Sequence, residues 1–300
     1  MKYLLGAIVT FLLLLGLAFF FWPQEPEALP PVLEEAPVVE THPLTPVYPE
    51  ISVIGQSVAG RDISAYVFGG GDTEILFVGG IHGGYEWNSS LLAYEFIDYL
   101  GTHPDVIPDG IRVAVIPTIN PDGLALVTDN TGYFTINDVV DPKTRVADGR
   151  FNKNYVDLNR NFDCKWAPES TWKGNVVSAG AAPFSEPETA ALRDYVLTNN
   201  PQAVVFWHSQ ANNVYASECE AGPLAETLTI MNTYADAAGY GAVPAFTAYP
   251  ITGDAEGWLA SIGIPAITVE LKSYESTEWN QNLAGVKALF GYYANQNVAR

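Results

Sequence analysis

The 300 residues contain only four histidines, and two of them follow apolar runs of strand length. His82 comes directly after Ile75-Leu-Phe-Val-Gly-Gly-Ile81, and His208 directly after Ala203-Val-Val-Phe-Trp207. A strand covered on both faces reads as such a continuous run, so both imidazoles are expected at the carboxyl ends of buried strands. One histidine there is an ordinary hydrogen-bonded core residue; two at equivalent strand ends point to a metal ion. Glu86, four residues after His82, adds a carboxylate where the strand turns into a helix. Its plain alternative is a helix N-terminal carboxylate favoured by the helix dipole. His82, Glu86 and His208 together make a His₂Glu set, and three protein ligands plus an open position are what catalytic zinc takes. His42 and His103 lie in a Pro-rich stretch and beside Pro104, and carry no such expectation.

A metal-activated water needs a general base within hydrogen-bond reach. Glu270 follows the apolar run Ala266-Ile-Thr-Val269, an unusual place for a charge that lacks a partner or a task. It is the candidate base; the structural alternative is a buried ion pair with Lys272. Between the two histidine regions lies Val156-Asp-Leu-Asn-Arg-Asn-Phe162. The Arg160 fork beside the Asn159 amide suits two-point capture of a substrate carboxylate. Arg150, a short loop upstream, is the candidate to polarise a carbonyl and stabilise an oxyanion. Taken singly, each arginine reads as a surface charge, but the chain has only 14 Lys and Arg in all, so their clustering here counts.

The elements that must position these groups are also legible. Apolar runs at 75–79, 111–116, 203–207 and 266–269 read as strands covered on both faces. Helical patterns separate them: 90–100, a helix through 197 opened by the capping box Ser185-Glu-Pro-Glu188, then 223–238 and 280–293. Strands alternating with helices predict a three-layer α/β/α domain, whose ligands gather beyond the carboxyl ends of the strands. The net charge of −20 leaves no basic surface for nucleic acid. A 48% hydrophobic, 12% aromatic composition is too rich for a disordered chain, and two cysteines are too few for a disulfide-built scaffold. No internal repeat occurs.

The first 50 residues read differently. Lys2 precedes an uncharged apolar run at 4–22, about the ~20 residues that span a bilayer. This predicts an N-terminal membrane anchor at 1–22, or a signal segment cleaved near Ala18, with the amino end inside. Residues 23–50 hold eight prolines, six glutamates and no Lys or Arg, which predicts an extended, self-repelling linker. The domain at 51–300 is then expected outside the cytoplasmic membrane. Cys164 and Cys219 are free to form a disulfide there, though spacing alone does not show that they meet.

From about residue 51 to the C-terminus, roughly five-sixths of the chain, the sequence resembles the zinc metallocarboxypeptidases, the family of pancreatic carboxypeptidases A and B and their bacterial relatives. The resemblance rests on five landmarks in family order: His82-Gly-Gly-Tyr-Glu-Trp87, Asp157-Leu-Asn-Arg-Asn-Phe162, Pro183-Phe-Ser-Glu-Pro-Glu-Thr189, Trp207-His-Ser209 and Thr268-Val-Glu-Leu271. It implies a mixed, mostly parallel sheet of about eight strands and one catalytic zinc held by His82, Glu86 and His208. By the same resemblance Glu270 is the general base, Asn159 and Arg160 hold the substrate's free C-terminal carboxylate, and Tyr249 caps the bound substrate. Arg150, with Arg145 as its rival, is the oxyanion arginine. Aligning Tyr249 and Trp258 with the family loop puts Glu256 near the base of the side-chain pocket and Asp254 close by. An acid there favours a C-terminal Lys, Arg or diamino acid, unless both are solvent-facing loop acids.

Three features depart from the family pattern. Three residues separate His82 from Glu86 where the family has two, an excess that a bulge and the two glycines are expected to absorb. Tyr85 stands where secretory members have an arginine, so one subsite contact is missing. The 23–50 stretch has no room for a long inhibitory pro-domain, so no activation of that kind is expected. The implied function is hydrolysis of the C-terminal peptide bond of peptides. No protein partner is inferable. A related zinc amidohydrolase acting on peptidoglycan stem peptides or N-acyl amino acids is the alternative. A catalytically dead binding domain is disfavoured, because every catalytic part is present.

Overall fold

The apolar runs become the centre of one sheet. The computed structural model describes residues 47–128, 130, 132–142 and 146–298. The 4–22 segment, most of the 23–50 linker and Arg145 lie outside the described residues. Among the described residues, no helix is long and apolar enough to cross a membrane. The strands are β1 Glu50–Gln56, β2 Asp62–Gly69, β3 Thr73–Val78, β4 Ile111–Ile116, β5 Glu169–Trp172, β6 Asn175–Ser178, β7 Ala203–Ser209, β8 Asn213–Ala216, β9 Gly241–Val243 and β10 Ala266–Leu271. The helices are α1 Trp87–Thr102, α2 Pro121–Thr128, α3 Pro187–Asn199, α4 Ala225–Ala238, α5 Ala255–Ser261 and α6 Trp279–Val298.

Eight strands form a mixed sheet in the order β1-β2-β4-β3-β7-β10-β8-β9. The run β4-β3-β7-β10 is parallel, as is β8 with β9, and the β1-β2, β2-β4 and β10-β8 pairings are antiparallel. All seven residues of β7 are buried. Successive side chains point to opposite faces. Phe77, Val205 and Trp207 therefore pack with α1, α4 and α6 on one side, where Phe77 and Trp207 stack at 5.3 Å. Leu76, Val78, Val204 and Phe206 pack on the other side with Leu192 of α3 and Trp258 of α5. These are the three layers.

Several expectations move at the level of single elements. β1, β2, β8, β9, the β5–β6 hairpin, α2 and α5 were not separable from loop by apolar pattern. β1 begins at Glu50, inside the expected linker. The expected capping box at Ser185 does not form. α3 starts at Pro187 with Glu186 as N-cap and no side-chain cap bond, and Ser185 Oγ bonds Glu186 Oε1 instead, at 3.0 Å. The competing bonds are visible: Asn152 Nδ2 donates to Glu186 Oε2 at 2.7 Å and to Glu188 Oε2 at 3.1 Å, and Asn154 Nδ2 donates to Glu186 Oε2 at 2.8 Å. The two glutamates thus anchor the loop that follows Arg150 rather than cap the helix.

Candidate metal centre and active site

After β3 the chain turns sharply at Gly83, whose φ is +46°. A Cβ there would lie 2.7 Å from the Gly149 carbonyl and 2.9 Å from that of Asn120, so no other residue fits. The extra residue between His82 and Glu86 is absorbed in a 3₁₀ turn, Gly83–Glu86, and not in a strand bulge. That turn brings Glu86 back beneath the histidines. Glu86 Oε1 lies 2.9 Å from His82 Nδ1, and Oε2 lies 3.0 Å from His208 Nδ1. The two Nδ1 atoms are 3.2 Å apart. Burial alone would raise Glu86, but His82 and His208 outweigh it and hold the carboxylate well below its ordinary range.

Two ring nitrogens so close, both facing one carboxylate, need a proton or a metal ion between them, since their lone pairs otherwise meet. A tetrahedral ion with bonds of ~2.0–2.1 Å sets its ligand atoms about 3.3 Å apart, close to the spacing found here. Among the described residues His82, Glu86 and His208 are the cluster that could hold a metal, with ligand atoms within 4.8 Å of one another. The outer nitrogens face carboxylates: His82 Nε2 is 3.5 Å from Asp157 Oδ1, and His208 Nε2 is 3.3 Å from Glu256 Oε1. The donor set therefore fits zinc, with a carboxylate behind each imidazole.

Glu270 sits on β10 in register with His208 on β7. No ion pair ties it to Lys272, whose backbone N–H instead bonds Glu278. Its Oε2 is buried without a hydrogen-bond partner among the described residues. Burial first, then the Glu86 and Glu256 charges, raise its pKa to about 8 against the opposing pull of His208 and Arg150. Arg150 is buried. Its Nε donates to Asp157 Oδ2 at 2.8 Å, its Nη1 lies 3.8 Å from Glu86 Oε1, and its guanidinium stacks 4.7 Å over the Trp172 ring. Asp157 is wholly buried. Burial opposes its charge, but Arg150, His82 and Arg160 hold it well below the usual carboxylate range.

A cavity of about 600 Å³ opens over these groups and is also lined by Asn159, Arg160, Tyr249, Asp254 and Glu256. Asn159 Oδ1 accepts from the Ala255 N–H at 2.8 Å, which locks the start of α5 onto this loop. Arg160 is 3% exposed. Its Nη1 donates to the Asn159 carbonyl at 2.6 Å and its Nη2 to that of Thr171 at 3.4 Å, while Nε has no hydrogen-bond partner among the described residues. Tyr249 is 37% exposed and packs on Phe246 at 4.8 Å. Asp254 caps α5 through Gly257 N–H at 2.8 Å; burial, then Glu256, raise its pKa to about 6. Glu256 is buried, and its Oε1 accepts from Thr268 Oγ1 at 3.0 Å as well as facing His208. Glu256 is buried away from bulk solvent, and Asp254 is half-buried.

The structure therefore gathers His82, Glu86, His208, Glu270, Arg150, Asn159, Arg160, Tyr249 and Glu256 around one cavity. Cys164 and Cys219 are disulfide-bonded across 55 residues, with Cα atoms 6.0 Å apart, and Cys164 lines the same cavity. Sequence reasoning gave no role to Asp157, although its place at the head of Asp157-Leu-Asn-Arg was a signal. It also missed the aromatic wall. Tyr85, Trp172 and Tyr274 make edge-on ring contacts at 5.0 and 5.6 Å, and Lys173 Nζ donates to Tyr85 Oη at 2.9 Å. A basic group thus meets Tyr85 from the β5–β6 turn.

Comparison with known proteins agrees with this geometry. Residues 42–280 match the family model described as zinc carboxypeptidase. The chain is 25% identical over 243 residues to γ-D-glutamyl-L-diamino acid endopeptidase 1 of Lysinibacillus sphaericus, covering 73% of this chain and 60% of that protein. It is 33% identical over 177 residues to carboxypeptidase B of Astacus astacus, covering 54% of this chain and 55% of that one. The chain thus spans little more than half the length of these two relatives. A murein-tripeptide amidase from Escherichia coli O157 shares the fold, with a TM-score of 0.59, 23% identity, and coverage of 81% of this chain and 93% of its own. A family model that spans most of the chain and a His-Glu-His cluster at the ends of its central strands agree: the chain belongs to the zinc carboxypeptidase family.

Proposed function

We propose that this protein is a zinc-dependent exopeptidase that hydrolyses the amide bond joining the C-terminal residue to its substrate. One observation carries the reading. A buried guanidinium with an unpaired Nε, Arg160, stands beside Asn159 in the cavity that holds the His82–Glu86–His208 cluster. A desolvated arginine with spare donors suits a carboxylate, and only the end of a peptide offers one on its main chain.

His82, Glu86 and His208 would hold a zinc ion, which would supply Lewis acidity toward the scissile carbonyl and a bound water. Glu270 then takes a proton from the attacking water as the oxygen–carbon bond forms. The same carboxyl delivers that proton to the leaving nitrogen as the carbon–nitrogen bond breaks, so no net proton is consumed. Arg150, fixed by Asp157 and Trp172, faces the negative charge that develops on the carbonyl oxygen. Arg160 and Asn159 hold the terminal carboxylate, and Tyr249 on its exposed loop covers the bound residue.

A second reading concerns the substrate. The names of two relatives, a γ-D-glutamyl-L-diamino acid endopeptidase and a murein-tripeptide amidase, favour a peptidoglycan stem peptide over an ordinary peptide. The apolar 4–22 segment and the acidic, Pro-rich stretch after it support an extracytoplasmic, membrane-tethered site of action. The test is to incubate the zinc-loaded protein with linear peptides and with stem peptides, and to weigh the products. Loss of single C-terminal residues is expected. Cuts at internal bonds only, or no cleavage of either class, would overturn the reading.

A further inference from the structure

We infer that Glu256 is a positioning residue for the metal centre, holding His208 as Asp157 holds His82, and not the group that reads the substrate's C-terminal side chain. This rests on the reading of His208 as a metal ligand.

His208 turns Nδ1 toward Glu86 and the second histidine, at 3.0 and 3.2 Å. A ring that gives its Nδ1 lone pair to a metal must carry its proton on Nε2. Buried N–H groups need an acceptor. His208 Nε2 is buried and has no aligned hydrogen-bond partner among the described residues. The carboxylate facing it is Glu256, with Oε1 at 3.3 Å. His82 shows the same arrangement, its Nε2 buried and facing Asp157 Oδ1 at 3.5 Å. Each imidazole thus has a buried carboxylate behind it.

The surroundings of Glu256 fit that task. It is 4% exposed and lies in the first turn of α5. Thr268 Oγ1 donates to the same Oε1 at 3.0 Å, from β10, the strand that pairs with β7 and carries Glu270. The start of α5 is fixed by the Asp254 cap and by the Ala255 N–H bond to Asn159. Thr268 thus holds the carboxylate oxygen that faces His208, and the two bonds at the start of α5 fix the backbone that carries it. A cationic substrate side chain that took Oε1 would draw it away from His208, so the two tasks compete at that oxygen.

The test uses the full-length protein loaded with zinc. Zinc affinity is measured by chelator competition, and the visible spectrum of the cobalt(II)-substituted form reports the ligand field. Glu256→Gln keeps the shape and an acceptor oxygen but loses the charge; Glu256→Ala loses both. Loss of a hydrogen-bond partner behind a metal-bound histidine typically costs 10–100-fold in affinity, so the glutamine variant should bind zinc about 10-fold more weakly and the alanine variant up to about 100-fold. The cobalt spectrum should shift in both, with the melting temperature of the metal-free glutamine variant unchanged. The ratio of kcat/KM for peptides ending in Lys and in Leu should be the same in wild type and Glu256→Gln. Unchanged zinc affinity and spectrum in the glutamine variant would overturn the inference, as would a fall in that ratio. Failure of the wild type to bind zinc would instead remove the reading of the site itself.

Discussion

Arg160 is where the exopeptidase reading can be put at most risk. The perturbation is a pair of changes: Arg160→Ala in the protein, and amidation of the substrate's C-terminus. In the structure the guanidinium spends its Nη1 and Nη2 on two backbone carbonyls and keeps Nε unpaired. Among the described residues no carboxylate forms an ion pair with it. A substrate carboxylate entering the cavity therefore meets a desolvated cation that feels Asp157 and Asp254 nearby but is directly paired with neither. Hydrogen bonds to charged groups contribute about 1.5–3 kcal/mol, and 1.4 kcal/mol is a factor of ten, so the free acid should be cleaved ~10- to 150-fold faster than its amide in kcat/KM. Arg160→Ala should lower kcat/KM on the acid by that factor, leave the amide nearly unchanged, and close the gap to within about threefold. Arg160→Lys should fall between, because an ammonium keeps the charge without the fork. The assay is kcat/KM on one peptide sequence in acid and amide form. Equal rates on the two forms with the wild type would refute the reasoning, as would a variant that slows both alike.

Four further outcomes are expected. Glu270→Gln should bind zinc and substrate as wild type but lose about 10²–10⁴ in kcat, since an amide cannot take the water's proton; near-normal kcat would put the base elsewhere. The ionised form of Glu270 is the working one. Burial and the neighbouring carboxylates raise it to about 8 from its ordinary 4.5, and a bound divalent cation pulls it back, so kcat/KM should rise with pH along a limb between those values that Glu270→Gln abolishes. His82→Ala and His208→Ala should each purify with far less than one zinc per chain, and a chelator should remove wild-type activity that added zinc restores; metal analysis checks both. Replacing Cys164 and Cys219 by Ser opens a 55-residue loop, and the chain-entropy estimate for one of that size is about 4 kcal/mol; a melting temperature within a degree of wild type would show that the bond contributes little.

How far the site was legible depended on what each residue's position encodes. His208 and Glu270 end the apolar runs of two central strands, β7 fully and β10 largely buried, so the end of the run fixes where their side chains emerge, and the parallel β7–β10 pairing sets them side by side. The central strands were legible for the same reason, since both faces are covered and the apolar signal is continuous. β1 and β2 carry a one-sided pattern, with β1 largely exposed, and their alternation was too weak to separate from loop. α2 was hidden by Gly123 in its first turn, which reads as a helix breaker. The structure gives its reason: a Cβ there would lie 2.2 Å from the Gly149 carbonyl, in the loop that carries Arg150. Local propensity yielded to a contact 26 residues away.

Glu86 and Glu256 show where such reading stops. Both are carboxylates near a helix start; residue spacing put Glu86 in a metal-ligand set, and the family resemblance put Glu256 near the base of the pocket. For Glu86 the residue count alone was a poor guide, because a register argument over His82-Gly-Gly-Tyr-Glu86 assumes regular backbone. A 3₁₀ turn advances differently from a strand or an α-helix, and the positive φ of Gly83 lets one additional residue pass without displacing the carboxylate. Glu256 lies on the cavity wall, and the direction its carboxylate takes is not encoded in the sequence pattern. Whether a side chain on α5 points into open cavity or back at β7 depends on how the helix is rotated about its axis. That rotation is set by two long-range bonds, Asn159 to Ala255 and Thr268 to Glu256. Neither has a spacing signature, since their partners lie 96 and 12 residues apart. Motifs locate the groups around a metal; which of them face the substrate and which face the ligands is decided by contacts that only the folded chain makes.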